Sequence, residues 1–142
     1  MAHILIVEAP YYAAISEELG LGAIAELEAQ GATYDRVTVF GVFELPAAIA
    51  MAHSGQPGRY DGYLALGCVI RGETTHYDYV CNESARGLMD LSVQHHLAIG
   101  YGVVTVENEA QAWARASRDK KGKDAAAACL RMIALRRNFD LT

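Results

Sequence analysis

Residues 63–84, YLALGCVIRGETTHYDYVCNES, decide the fold. The first eight, residues 63–70, carry no charge, as expected of a central parallel strand covered on both faces. The run breaks at Gly72, passes two threonines and His76, and enters a helical pattern from about Tyr77 to Ala98. Tyr77, Val80, Cys81, Ser84, Leu88 and Leu91 fall on one stripe of that pattern, and Gly100 reads as its stop. Thr75 with Asp78 three residues on reads as an N-cap pair. The carboxyl end of a strand therefore meets the amino end of a helix, where free N–H groups and the helix dipole favour an anion. His76 stands where an ionisable imidazole can serve a bound phosphate ester. This junction is the first candidate for an active site.

Working outward, residues 3–7 and 36–40 (RVTVF) read as strands. Residues 13–30 carry Ile15, Leu19, Ile24 and Leu27 at helical spacing and stop near Gly31. Residues 45–53 read as a helix with Pro46 in its first turn, where proline is tolerated, and residues 54–59 as a loop. Residues 103–106 read as a fourth strand, followed by helices over 107–116 and 124–139. Alternating strands and helices predict an α/β fold with a parallel sheet and right-handed crossovers. Ligands of such sheets lie outside the carboxyl ends of the strands. That rule selects residues 9–12, 41–44, 71–76 and 106–108.

The chain has 142 residues, 52% apolar and 20% charged, and reads as one domain with a real core. It has no apolar run long enough to span a membrane, and its first residues read as a strand rather than a signal peptide. Cys68, Cys81 and Cys129 lack metal-type spacing and read as reduced thiols of a cytoplasmic protein. The net charge of −5 is uneven: residues 1–114 carry 4 Lys+Arg against 14 Asp+Glu, and residues 115–142 carry 8 against 3. The basic end suits an anionic ligand, nucleic acid or an acidic neighbouring subunit, or is a solvated helix face. The acidic remainder argues against nucleic acid.

Among individual motifs, Gly20-Leu21-Gly22-Ala23-Ile24-Ala25 fits a dinucleotide fingerprint in form but lies inside a helical pattern, so close helix packing explains it better. His76 is a general acid/base, a metal ligand or a helix cap, and no second ligand at suitable spacing supports the metal. Tyr11 and Tyr12, after the first strand, either stack on a flat heterocycle or edge the core. Glu44 is either a helix-start charge or an acceptor for ligand hydroxyls.

Three blocks of this chain resemble the lumazine synthase (6,7-dimethyl-8-ribityllumazine synthase) family: residues 41–46 (GVFELP), 67–81 (GCVIRGETTHYDYVC) and 102–112 (GVVTVENEAQA). The resemblance implies a three-layer α/β/α sandwich around a central four-stranded parallel sheet, flavodoxin-like. It implies the condensation of 5-amino-6-(D-ribitylamino)uracil with 3,4-dihydroxy-2-butanone 4-phosphate, releasing phosphate and water, with no metal or cofactor.

Carried over by matching position, the resemblance makes His76 the proton-transfer residue and Tyr11 the ring that stacks on the pyrimidine. Val42, Phe43 and Glu44 would line the ribityl and ring site, and Cys68, Val69 and Ile70 would present backbone to the pyrimidine. Glu73 and Thr74 would donate N–H groups to the phosphate. Tyr101 and Arg115, the latter for the phosphate, would come from the adjacent subunit, with Lys123 assisting. The implied assembly is a ring of five with shared sites, the free pentamer preferred here to a shell of sixty. Pro10, Val42 and the segment 117–124 depart from the family pattern, and the extra strand that some members lend to a neighbour is expected to be missing before the first core strand. A non-catalytic flavin- or lumazine-binding scaffold is the competing reading; the presence of His76 and Arg115 favours the enzyme.

Overall fold

The structure, a computed structural model, describes residues 1–141; Thr142, the last residue of the domain expected over 1–142, lies outside it. Four strands, β1 (His3–Glu8), β2 (Thr33–Thr38), β3 (Gly62–Ile70) and β4 (Ile99–Val106), form one parallel sheet in the order β2-β1-β3-β4. Five helices flank it: α1 (Ala13–Ala29), α2 (Leu45–Gly55), α3 (His76–His95), α4 (Glu109–Ala116) and α5 (Lys121–Asn138). A single 3-10 turn, Val42–Glu44, leads into α2.

The uncharged run of β3 is explained by its interior position. Leu64 and Leu66 join Ile4 and Ile6 of β1 against α1 and α5, while Tyr63 and Ala65 join Leu5 and Val7 against α2 and α3. Each of the large aliphatic side chains so enclosed contributes about 1.5–3 kcal/mol. A third cluster, Ile15, Leu19, Cys68, Val104, Val106, Ala112 and Ala116, closes the end of the sheet under α1 and α4. That end carries the carboxyl termini of β3 and β4, so the strand tips are held from behind.

Several boundaries differ from the sequence expectation. Helix α3 stops at His95, with His96 in the left-handed region (φ 56°), and β4 starts at Ile99 rather than at 103. Gly100 is therefore a strand residue: a Cβ there would run into the backbone carbonyl of Ala125 on α5. It is kept small by helix packing rather than by a helix stop. Strand β2 covers Thr33–Thr38 rather than 36–40 because its register follows β1 from His3↔Thr33 to Glu8↔Thr38. It is an edge strand with mostly exposed side chains, so it has little apolar pattern to read. The Gly20–Ala25 motif is packing, as expected: a Cβ on Gly22 would strike the backbone of Arg118, and one on Gly122 the backbone of Leu19.

Part of the basic end is spent inside the chain. Arg118 pairs with Glu18 (2.8 Å), Arg137 with Asp61 (3.7 Å), and Arg136 donates to the carbonyls of His96 (3.1 Å) and Asp61 (3.4 Å).

Candidate active site

A cavity of about 660 Å³ opens at the carboxyl ends of β1 and β3, where the topology rule places it. It brings together eight of the residues singled out from the sequence: Tyr11, Val42, Phe43, Glu44, Cys68, Val69, Ile70 and His76. Its floor is the end of β3. There the strand turns from fully buried to half-exposed at Val69 and Ile70.

One wall is the turn around Val42, and a glycine sets its distance from the floor. A Cβ on Gly67 would lie 2.6 Å from Val42 Cγ2 and 3.4 Å from Ala9 Cβ. Val42 occupies the space that side chain would need and is itself 5% exposed. Its neighbours Phe43 and Glu44 are thereby turned toward the opening. Glu44 precedes α2 yet its side chain makes no capping bond, which leaves the carboxylate available to the cavity. On the opposite wall Tyr12 is half-buried against the core under α1, while Tyr11 meets it edge-on (5.0 Å between centroids, 81°) and stays 71% exposed. One ring anchors, and the other is free to stack.

The strand-to-helix junction is built differently from the expected cap. Thr75 is the N-cap residue of α3, but its side chain accepts no capping bond; instead Thr74 Oγ1 accepts from the His76 N–H at 3.3 Å. Asp78 is not half of a capping pair, because its carboxylate is drawn to Arg71 (3.4 Å). Glu73 and Thr74 sit in the exposed turn before the helix and do not line the cavity, whereas His76 does.

Tyr101, Arg115 and Lys123 lie elsewhere. Tyr101 is on β4, opposite Ala65, with its phenol pushed up by burial near Cys81 and Tyr77. Arg115 is exposed in the last turn of α4 and donates to the carbonyl of Gln111 (3.1 Å). Lys121, which the sequence reading passed over, places Nζ 5.5 Å from the centroid of the Tyr101 ring. Lys123 is exposed two residues further along α5, roughly 200° around the helix.

Cys68 and Cys129 have the character of core groups, while Cys81 is half-buried. Burial pushes the Cys68 thiol up to about 11 and Cys129 up to about 12, so neither is a thiolate near neutral pH. Phe40 and Tyr79 also line the cavity and were missed from the sequence. Tyr79 lies three residues after His76 and so on the same helix face, a spacing that could have revealed it. Phe40 is 87% exposed beyond the end of β2, and only the fold brings it to the rim. With Tyr11, Phe43 and Tyr79 it makes a rim of large, open aromatic side chains, the kind of surface that marks a binding site.

A family model described as 6,7-dimethyl-8-ribityllumazine synthase matches residues 1–137. The chain is 57% identical over 139 residues to a Bartonella henselae protein of that name, with 96% of this chain and 90% of the relative covered. It is 56% identical to 6,7-dimethyl-8-ribityllumazine synthase 1 of Rhizobium meliloti, over 96% of this chain and 93% of the relative. It is 52% identical to a 6,7-dimethyl-8-ribityllumazine synthase of Sphingopyxis alaskensis, over 99% of each.

Proposed function

This chain belongs to the 6,7-dimethyl-8-ribityllumazine synthase family and is an enzyme of that activity in riboflavin biosynthesis, and from that premise we propose how its residues share the reaction between two copies. The carrying observation is a division of labour. The cavity gathers eight assigned residues and no Lys or Arg among the described residues that line it, while Arg115, Lys121 and Tyr101 stand apart from it.

The pyrimidine of 5-amino-6-(D-ribitylamino)uracil stacks on Tyr11, against the backbone of Cys68, Val69 and Ile70. Val42 and Phe43 flank the ring and ribityl chain, and Glu44 accepts hydrogen bonds from ribityl hydroxyls. The phosphate of 3,4-dihydroxy-2-butanone 4-phosphate lies at the turn before α3, where the N–H groups of Glu73 and Thr74 and the helix dipole favour an anion. Arg115 of a neighbouring copy supplies the compensating charge. Lys121, rather than Lys123, accompanies it, since it already faces Tyr101.

The amine of the pyrimidine attacks the ketone, and loss of water gives an imine. Phosphate then departs, and ring closure with loss of a second water gives the lumazine. Each stage moves a proton, and His76, on the cavity wall beside the phosphate turn, is the group in reach to move it. Arg115 and the helix N–H groups stabilise charge on the leaving phosphate. Holding two substrates in register supplies much of the rest. This reading makes the whole chain one domain of a cytoplasmic ring of five, with each cavity completed by the β4 edge of the next copy.

Co-expression of His76→Ala with Arg115→Ala chains tests the sharing. With shared sites, random mixing leaves about a quarter of the interfaces with both native halves, and activity rises to that fraction of wild type. Activity no better than the average of the two separate mutants defeats it. Light scattering on the native protein reads the assembly: five subunits supports the free ring, sixty overturns the preference for it, and a monomer refutes the shared site.

A further inference from the structure

Arg71 lies just past the cavity floor and is absent from its lining. Its backbone N–H continues the β3–β4 ladder by donating to the Val106 carbonyl (2.9 Å). Its side chain does more. Nε donates to both carboxylate oxygens of Glu107 at 3.0 Å, Nη2 lies 3.4 Å from Asp78 Oδ1, and the guanidinium carbon sits 4.3 Å from the centroid of the Tyr77 ring. One planar cation thus joins the ends of β3 and β4 to the first turn of α3. Donors directed at two separate carboxylates and a flat face stacked on a ring use the planar, many-donor guanidinium of arginine, which lysine lacks.

The turn that these contacts straddle has little else to hold it. Residues 71–76 are exposed, Thr75 makes no side-chain cap, and the local polar contact from a side chain is the 3.3 Å bond accepted by Thr74 Oγ1. The buried anchors of α3 begin only at Val80. The charge of Arg71 is already met by two carboxylates of its own chain, so it is poorly suited to bind a phosphate itself. Both carboxylates hold its proton firmly, which keeps the clamp charged at any working pH.

We propose that Arg71 is a positioning residue: by clamping Glu107, Asp78 and Tyr77 it fixes the turn that presents the Glu73 and Thr74 amides and His76 to the phosphate substrate. The inference rests on the reading of that turn as the phosphate site. The side-chain contacts of Arg71 go to Glu107, Asp78 and Tyr77 and not to Tyr11, Phe43 or Glu44, so the pyrimidine side is independent of the clamp.

The test measures KM for each substrate in Arg71→Ala, Arg71→Lys, Glu107→Gln and the double variant Arg71→Ala/Glu107→Gln, in assembled protein. Expected is a rise of about 5- to 20-fold in KM for the butanone phosphate in Arg71→Ala, with KM for the pyrimidine within about twofold. Glu107→Gln should shift the same constant in the same direction, the lysine variant should rescue it only in part, and the double variant should be no worse than Arg71→Ala. An unchanged phosphate KM in Arg71→Ala overturns the proposal. An effect of Arg71→Ala that Glu107→Gln does not share, and that adds fully in the double variant, also overturns it, by making Arg71 a direct ligand. Should Arg71→Ala not fold, Glu107→Gln decides: amide exchange at residues 73–76 must quicken relative to α5, and an unaltered rate refutes the clamp. Thr74→Pro, which deletes one of the N–H groups assigned to phosphate, examines the underlying reading separately. If it leaves the phosphate KM unchanged, the phosphate site lies elsewhere whatever Arg71 does.

Discussion

At the carboxyl ends of β1 and β3 the molecule has a hollow rimmed by aromatic rings, lined by no Lys or Arg among its described residues. Along the β4 edge and the starts and ends of α4 and α5 it has cations and one aromatic ring, and they line no part of that hollow. The first region suits something flat and hydroxylated; the second suits the phosphate of the proposed reaction partner. A condensation that needs both groups at one point needs the two regions brought together. Within one chain Tyr101, Arg115 and Lys121 line no part of the hollow, and β3 and β4 are locked in register from Tyr63↔Ile99 to Ile70↔Val106. In the proposed shared site a second copy brings the two regions together with that ladder intact.

The sharpest attack on this comparison is at the hollow. His76→Ala should slow lumazine formation by about one to three decades while pyrimidine affinity, measured by titration, is nearly unchanged. A mutant equal to wild type from about pH 6 to 8 would leave His76 a structural residue of the turn. At the β4 edge, Arg115→Ala should raise KM for the butanone phosphate about 10- to 150-fold and leave the pyrimidine constant alone, since a charged hydrogen bond to phosphate is worth about 1.5–3 kcal/mol. Unchanged saturation by the phosphate substrate would dissolve the distinction between the regions. A finer division lies within α5: Lys121→Ala should raise the same KM about 3- to 10-fold, and Lys123→Ala less than about twofold. The reverse ranking would restore Lys123 to the role the resemblance implied.

The smallest effect concerns the thiol on the cavity floor. With Cys68 pushed up to about 11 by burial, its thiolate fraction near neutral pH is about one in ten thousand, and it grows only as pH rises toward that value. Iodoacetamide at pH 7 should therefore leave activity within about twofold, and substrate turnover after treatment is the readout. Rapid inactivation traced to Cys68 would show the floor to be more open than the fold makes it.

Much of the hollow was legible because its parts follow strand ends. Residues 63–70 announce a buried strand, the turn after it follows from Gly72, and the rule that ligands gather at carboxyl ends selects residues 9–12 and 41–44 without contact information. The misreadings also have physical causes. Gly100 looked like a helix stop because a missing side chain carries the same letter whether it ends a helix or admits another one. Thr75 and Asp78 had the spacing of a capping pair, but Arg71, a cation thirty-six residues before Glu107, competes for Asp78. Phe40 and Lys121 were passed over because neither lies in a motif. Each matters through what the chain folds next to it.

Periodicity and turn residues determined by themselves the strand–helix alternation and the parallel sheet, since these depend on contacts repeated every two to four residues, and three local blocks carried the resemblance to the family. The tertiary structure decided what depends on distance through space: the seat of Val42 on Gly67, the ring of Tyr101 beneath Lys121, and the grip of Arg71 on both Glu107 and the start of α3. Those contacts join residues far apart along the chain, and the packing that brings them together has no signature in local spacing.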